Sequence, residues 1–248
     1  MAIVTQESEI AALRASGRIA AAVLKKVAAT VKPGLTTANL DELAADLLKR
    51  ADARPSFLHY QGYPANLCVS VNDEVVHGIP GDRMLVDGDV VSLDIGVNLN
   101  GWFTDHAVTI PVGRITAAQK KLIADTQQSL MLGLAAAKIG GRIGDIGAAI
   151  QGFLEPRGYG VVRQLCGHGV GRAVHEPPQI PNYGQPKTGP IIVRGAVLAI
   201  EPMVTAGGWE VETQANNWTV VSADGSTAAH FEHTVIMTDQ GAEIITQL

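Results

Sequence analysis

Charge is scarce in this 248-residue chain. Only 17% of residues are Asp, Glu, Lys or Arg, below the usual quarter. The balance is acidic: 19 Lys+Arg against 24 Asp+Glu, a formal net charge of −5. That argues against nucleic-acid binding driven by bulk positive charge, and no sequence-specific nucleic-acid partner is expected. Cysteine is nearly absent. Cys68 and Cys166 stand far apart with no CxxC, so there is no disulfide framework and a reducing compartment is expected. Long apolar runs are missing as well. Ile19–Leu24 and Ala196–Ile200 end after six and five residues, where a membrane-spanning helix needs about 18 or more. The stretch Met1–Glu7 has no basic segment leading into an apolar one, so no signal peptide is expected. A cytoplasmic protein without a membrane partner is the expectation.

Common catalytic signatures are lacking too. In Gly167–Gly171 the third glycine of a GxGxxG fingerprint would fall on Arg172. There is no Walker loop and no GxSxG elbow, and His175-Glu176 runs into Pro177-Pro178 rather than completing HExxH.

What the chain does have is apolar material for a core, 46% of its residues. Ile10, Leu13, Ala20, Leu24, Val27 and Val31 recur at helical spacing, predicting a helix over 8–31 that Lys32-Pro33-Gly34 stops. A second helix is expected after Thr36-Thr37, with Leu40, Leu43, Leu47 and Leu48 on its apolar side, ending near Arg54-Pro55. Residues 66–112 read as strands and turns. Thr116-Ala117-Ala118-Gln119 is a capping-box pattern opening a third helix to about Lys138. A fourth is expected from Asp145, carrying Ile146, Ala149, Ile150 and Phe153, and strands are expected after Gly158. The class is therefore α+β, with helix-helix-strands occurring twice.

The two halves echo each other. Gly88-Asp89-Val90-Val91-Ser92-Leu93-Asp94 is similar to Gly195-Ala196-Val197-Leu198-Ala199-Ile200-Glu201, and Asp105-His106-Ala107-Val108 to Glu232-His233-Thr234-Val235. A tandem duplication is the expectation, with halves of about 1–113 and 114–248 forming one domain. Each half puts two acids on strands. Alternation places Val90, Ser92 and Asp94 on one face. A hairpin turning at Asn98-Leu99-Asn100-Gly101 is expected to set Asp94 directly opposite Asp105. Like charges so placed repel, and a cation between them would relieve the repulsion. Glu201, at the end of an apolar run, is expected to be buried and in need of a partner. Four carboxylates with one or more imidazoles suit two adjacent transition-type divalent ions better than calcium.

These residues, in this order, resemble a known family. Asp94, Asp105, His168, Glu201 and Glu232 match the five metal ligands of methionine aminopeptidases, within the creatinase-type pita-bread fold. The match extends to Asn66–Asn72, His77-Gly78-Ile79-Pro80, Gly167–Gly171, Ile200-Glu201-Pro202-Met203 and Phe231-Glu232-His233-Thr234. Only 31 positions separate Glu201 from Glu232, too few for the helical insertion of the type II enzymes. No zinc-finger extension precedes the first helix, so the resemblance is to the bacterial short form of type I.

The resemblance implies a pita-bread fold, with the duplicated halves related by a pseudo-two-fold axis around a central antiparallel sheet. It implies removal of the initiator methionine from nascent polypeptides whose second residue is small. It also implies two divalent metal ions (Co, Mn, Fe or Zn), with a bridging water or hydroxide as nucleophile. Asp94 would bind one metal, Asp105 and Glu232 would bridge, and His168 and Glu201 would complete the second metal's shell. Glu201 would also be the general base. His77 would orient the substrate amide, and His175 would steady the carbonyl and its oxyanion. Phe57, Tyr60, Tyr63, Cys68 and Trp218 would line the methionine pocket, together with Val174, although relatives carry other residues at Phe57 and Val174. The implied partners are the nascent chain and the ribosome near its tunnel exit, and a monomer is expected. His59, His106, His230 and His233 are expected only to pack. Two other readings stay open: an enzyme of this fold that cleaves Xaa-Pro peptides, and a non-catalytic binding module.

Overall fold

Two helix pairs and their strands alternate along the chain in this computed structural model, which describes residues 2–248; Met1, the first residue of the expected 1–113 half, lies outside them. The first pair is α1 (Glu7–Thr30) and α2 (Thr37–Arg50). The second is α3 (Ala117–Ala136) and α4 (Ile143–Leu154). Local chemistry accounts for the helix starts. The Thr36 hydroxyl accepts from Asn39 N–H and the Thr116 hydroxyl from Gln119 N–H, and each partner's side chain accepts the cap residue's own N–H in return. α2 stops at Arg50, four residues before Arg54-Pro55, which form a short strand instead. Asp52 just past its end takes a left-handed φ of +53°. α4 begins at Ile143 rather than Asp145, because the Asp145 carboxylate reaches back to accept Arg142 N–H and so opens the helix two residues early.

Among the described residues, nine strands form one sheet and six more form two three-stranded sheets; the large sheet positions the acids. Its path runs Arg54–Pro55, Val90–Leu99, Trp102–Pro111, Glu232–Thr238, Val197–Ile200, Gly167–Gly169 and Glu176–Ile180. Cys68–Val71 pairs with Val90–Leu99, and Gly241–Ile244 with Glu232–Thr238. Every pairing in it is antiparallel. Alternation decides what each face meets. Val91, Leu93, Ile95 and Val97 pack in one core with Leu24 and Val27 of α1 and Leu40 and Leu48 of α2. Leu198, Ile200, Val235 and Met237 pack in another with Leu130 of α3 and Ile146 and Ile150 of α4. The intervening positions face the other way, and they hold the acids.

The central hairpin corrects one expectation. Its loop is only Asn100-Gly101, both with positive φ (+53° and +84°), the pair of left-handed residues a two-residue turn demands. The register is therefore shifted by two residues from the expected one. Asp94 lies opposite Ala107, and Asp105 opposite Gly96. A shift of two preserves the face, so both acids still point to the same side, as diagonal rather than direct neighbours. Among the described residues, no helix is long and apolar enough to cross a membrane.

Candidate metal centre and adjoining cavity

The acids meet because five strands bring one row of residues into register. Cys68 pairs with Asp94, Asp94 with Ala107, and Ala107 with Glu232. Ile200 pairs with His233, and beyond a short gap Met203 pairs with His230. The register is continuous across that gap, so Glu201 falls opposite Glu232. Small Ala107 in the middle leaves the space above it to the carboxylates on either side. One step along the pleat, Asp105 and His168 join from the next row. His168 pairs with Ala199, two residues before Glu201. The Thr234 hydroxyl holds the Asp105 backbone, accepting its N–H and donating to its carbonyl, both at 2.8 Å.

The geometry is that of a cation site. Ligand atoms of Asp105, His168 and Glu232 lie within 4.8 Å of one another, all buried. His168 Nε2 is 3.5 Å from Glu201 Oε1 and 4.0 Å from Asp105 Oδ2. Its Nδ1 stands 2.9 Å from the Gly169 carbonyl oxygen, which can only accept. Nδ1 therefore carries the proton and Nε2 presents a lone pair to the carboxylates. Asp94 Oδ1 and Glu232 Oε1 are buried without a hydrogen-bond partner. Lone pairs converging on lone pairs, with orphaned carboxylate oxygens beside them, fit one or more divalent cations; among the described residues that line the adjoining cavity there is no Lys or Arg to offset the charge.

Proton affinities carry the same signature. Burial, then the charges of Asp105 and Glu201, holds the Asp94 carboxyl well above its usual range. Glu232 and Glu201 are raised by burial and then by Asp105. Asp105 is raised to about 6, since hydrogen bonds from Asp94 and the His106 N–H partly offset its burial. Burial, with His175 adding to it, lowers His168 to about 3.

The centre opens into a cavity of about 490 Å³. Asp94, Asp105, His168, Glu201 and Glu232 line it together with Phe57, Tyr60, Tyr63, Cys68 and Trp218, and His77 and His175 line it as well. Phe57, Tyr63, Cys68 and Val174 are buried together in an apolar cluster that Tyr60 and Trp218 border. Gly96 makes room for it: a Cβ there would meet Ser56 Oγ at 1.9 Å and Phe57 Cε1 at 2.6 Å. His77 lies just past the strand Glu74–Val76 rather than on it, at φ +59°. Gly78 after it approaches the strand Cys68–Val71 so closely that a Cβ would sit 2.2 Å from the Val69 carbonyl oxygen. The His77 ring faces Trp218 edge-on, with centroids 6.2 Å apart. His175 is exposed at the cavity mouth. Its Nδ1 lies 3.0 Å from the Tyr60 hydroxyl, and its ring is edge-on to His168 at 4.3 Å.

The residues expected to bind metal, substrate or the reacting groups thus border one cavity, except Val174, which packs in the apolar cluster with Phe57, Tyr63 and Cys68. His106 and His233 do not: they stack on each other at 4.7 Å on the opposite side of the pleat, with His106 Nδ1 donating to the Glu232 carbonyl oxygen at 2.6 Å. His230 departs from the expectation of mere packing, since its Nε2 is 3.5 Å from Glu201 Oε2. Alternation could have found it, because His230 and Glu232 are two apart on an extended segment and so share a face. Cys166, two residues before His168, also lines the cavity and was missed.

Comparison with known proteins agrees with this geometry. The model of metallopeptidase family M24 matches residues 11–239. A methionine aminopeptidase of Clostridium acetobutylicum is 49% identical, the match covering 99% of each chain. Methionine aminopeptidase 1 of Bacillus subtilis is 48% identical over the full length of both. The crystal structure of methionine aminopeptidase from Thermotoga maritima superposes with a TM-score of 0.98 at 42% identity, covering 100% of both chains. The α+β architecture is the pita-bread fold of these enzymes. The chain belongs to metallopeptidase family M24 and, within it, to the methionine aminopeptidases.

Proposed function

We propose that this enzyme removes the N-terminal methionine from nascent polypeptides whose second residue is small. The observation that carries the reading is that five side chains bearing oxygen or nitrogen donors, Asp94, Asp105, His168, Glu201 and Glu232, line the same cavity as the apolar Phe57, Tyr63, Cys68 and Trp218. A pocket of this kind takes an unbranched, polarisable thioether side chain and leaves the adjoining amide at the carboxylates.

Two divalent cations fit the donor set, with Asp94, Asp105, His168, Glu201 and Glu232 as the residues that would hold them. Co, Mn, Fe and Zn all suit mixed oxygen and imidazole ligands. When bound, they supply Lewis-acid polarisation of the substrate carbonyl and a lowered pKa for the attacking water. The chain's own residues do the rest. Glu201 takes the proton of the attacking water and passes it to the departing amine. Tyr60 donates its hydroxyl proton to Nδ1 of His175, which fixes the other ring nitrogen as an N–H donor toward the substrate carbonyl and its oxyanion. His77, held against Trp218, contacts the substrate amide and crowds the position of the second residue. The reading also takes the two halves, about 1–113 and 114–248, as a tandem duplication within one domain. It has the enzyme act as a monomer in the cytoplasm, on chains leaving the ribosome.

The test is cleavage of a Met-Ala peptide by chelated protein titrated back with each of the four metals, beside an Xaa-Pro panel. Metal-dependent release of methionine is expected. Faster cleavage of Xaa-Pro substrates would overturn the assignment.

A further inference from the structure

His230 takes no part in the mechanism above, yet its surroundings give it one contact with the reacting groups. It is buried, 1% exposed, at the end of the strand Ala228–His230. The backbone there is held at both ends by one hydroxyl: Thr109 Oγ1 accepts the His230 N–H at 2.8 Å and donates to the His230 carbonyl at 2.7 Å. That hydroxyl also lies 2.8 Å from Ser92 Oγ on the neighbouring strand. Pairing with Met203 brings His230 beside the segment that carries Glu201.

Neither ring nitrogen of His230 has a hydrogen-bond partner within bonding distance. The nearby carboxylate is Glu201, whose Oε2 lies 3.5 Å from His230 Nε2, while its Oε1 lies 3.5 Å from His168 Nε2. The two oxygens are thus divided between two imidazoles of different kind. His168 presents a lone pair, because its proton is committed to the Gly169 carbonyl. A buried imidazole stays neutral and carries a single N–H. The acceptor the structure offers that proton is Glu201 Oε2, 3.5 Å from Nε2, which a shift of a few tenths of an ångström would bring to normal hydrogen-bond length.

We propose that His230 is a positioning residue: its Nε2–H donates to Oε2 of Glu201 and holds the carboxylate with Oε1 turned toward His168. The contact removes the rotational freedom Glu201 would otherwise have in a cavity of this size. It presents one carboxylate orientation to the attacking water. The catalytic consequence rests on the reading of Glu201 as proton acceptor; the contact itself does not.

Two measurements test it. Long-range proton–nitrogen spectra of the full chain, 15N-labelled at histidine and held in chelator, are expected to show His230 as the Nε2–H tautomer, with shifts that move in Glu201→Gln. An Nδ1–H tautomer, or shifts indifferent to E201Q, overturns the contact. In metal-loaded protein, His230→Leu is expected to lower kcat ten-fold or more with KM within two-fold and bound metal unchanged. His230→Gln, which keeps a donor of similar reach, is expected to recover most of that loss. Turnover in H230L within two-fold of wild type, or H230Q no better than H230L, overturns the positioning role. Should the spectra come out as expected while E201Q turns over normally, the reading of Glu201 fails and the contact alone survives.

Discussion

Asp105→Asn sets the stability of this chain against its proposed function, and the structure supplies a magnitude. Burial raises the Asp105 carboxyl from 3.8 to about 6 in the folded protein. In metal-free protein well below pH 3.8 the group is protonated both folded and unfolded, and its ionisation costs nothing. As pH rises through the unfolded value the unfolded chain loses its proton first, so folding stability falls. Above the folded value near 6 the penalty is complete. At about 1.4 kcal/mol per tenfold in proton affinity it amounts to about 3 kcal/mol. Asparagine removes the charge and keeps an oxygen for the His106 N–H, which Asp105 Oδ1 accepts at 3.0 Å. In chelator, D105N is therefore expected to be more stable than wild type by up to about 3 kcal/mol at pH 8, roughly 6–12 °C in melting temperature for a chain of this size. The gain should shrink as the pH is lowered through 6 and be small near pH 4. Saturating divalent metal should reverse the order, since binding to the folded state stabilises wild type and the variant lacks a ligand oxygen. Calorimetric melts at pH 5, 6.5 and 8, with chelator and with metal, provide the comparison. A chelated D105N that melts at or below wild type at pH 8 would refute the argument that this centre is a cluster of uncompensated buried charge.

Three further outcomes are expected. His175→Ala should lower kcat about 10²–10³-fold, the usual cost of one oxyanion donor, with metal content near wild type by atomic absorption; loss of metal would instead make His175 a ligand. Gly96→Ala, whose Cβ would overlap Ser56 and Phe57, should destabilise by about 1–3 kcal/mol and raise KM for methionyl peptides as Phe57 is displaced; a variant with wild-type melting and kinetics would contradict that packing. Asp94→Ala leaves an uncovered ligand position and should bind less than the full metal complement by titration calorimetry. Wild-type stoichiometry in that variant would remove Asp94 from the proposed set.

Much of the fold was legible locally. The capping threonines, the apolar spacing of α1 and the proline-glycine stop after α1 act over a few residues, so their outcome is written beside them. α2 and α4 show where local reading fails. A turn-forming Asp52 and a reach-back by Asp145 moved their ends by two to four residues, and both depend on side-chain geometry rather than spacing. The central hairpin shows the same limit. Asn100-Gly101 announced the turn, but only its backbone conformation chose the register.

The candidate centre divides in the same way. Residue type, order and the parity of the pleat were enough to put Asp94 and Asp105 on one face of their hairpin and to mark Glu201 and Glu232 as their counterparts in the second half, because alternation is a property of any extended chain. Which of them are neighbours, and that His168 turns its lone pair inward while His230 approaches from the other side of Glu201, required the pairing of strands separated by more than a hundred positions. Those pairings are set by how the two helix pairs bury the apolar side of the sheet. The sequence by itself thus determined which groups would be available for chemistry and on which side of the chain they would stand. The tertiary structure decided their distances, their burial and hence their proton affinities, since each depends on atoms that are remote in sequence and adjacent only once the core has closed.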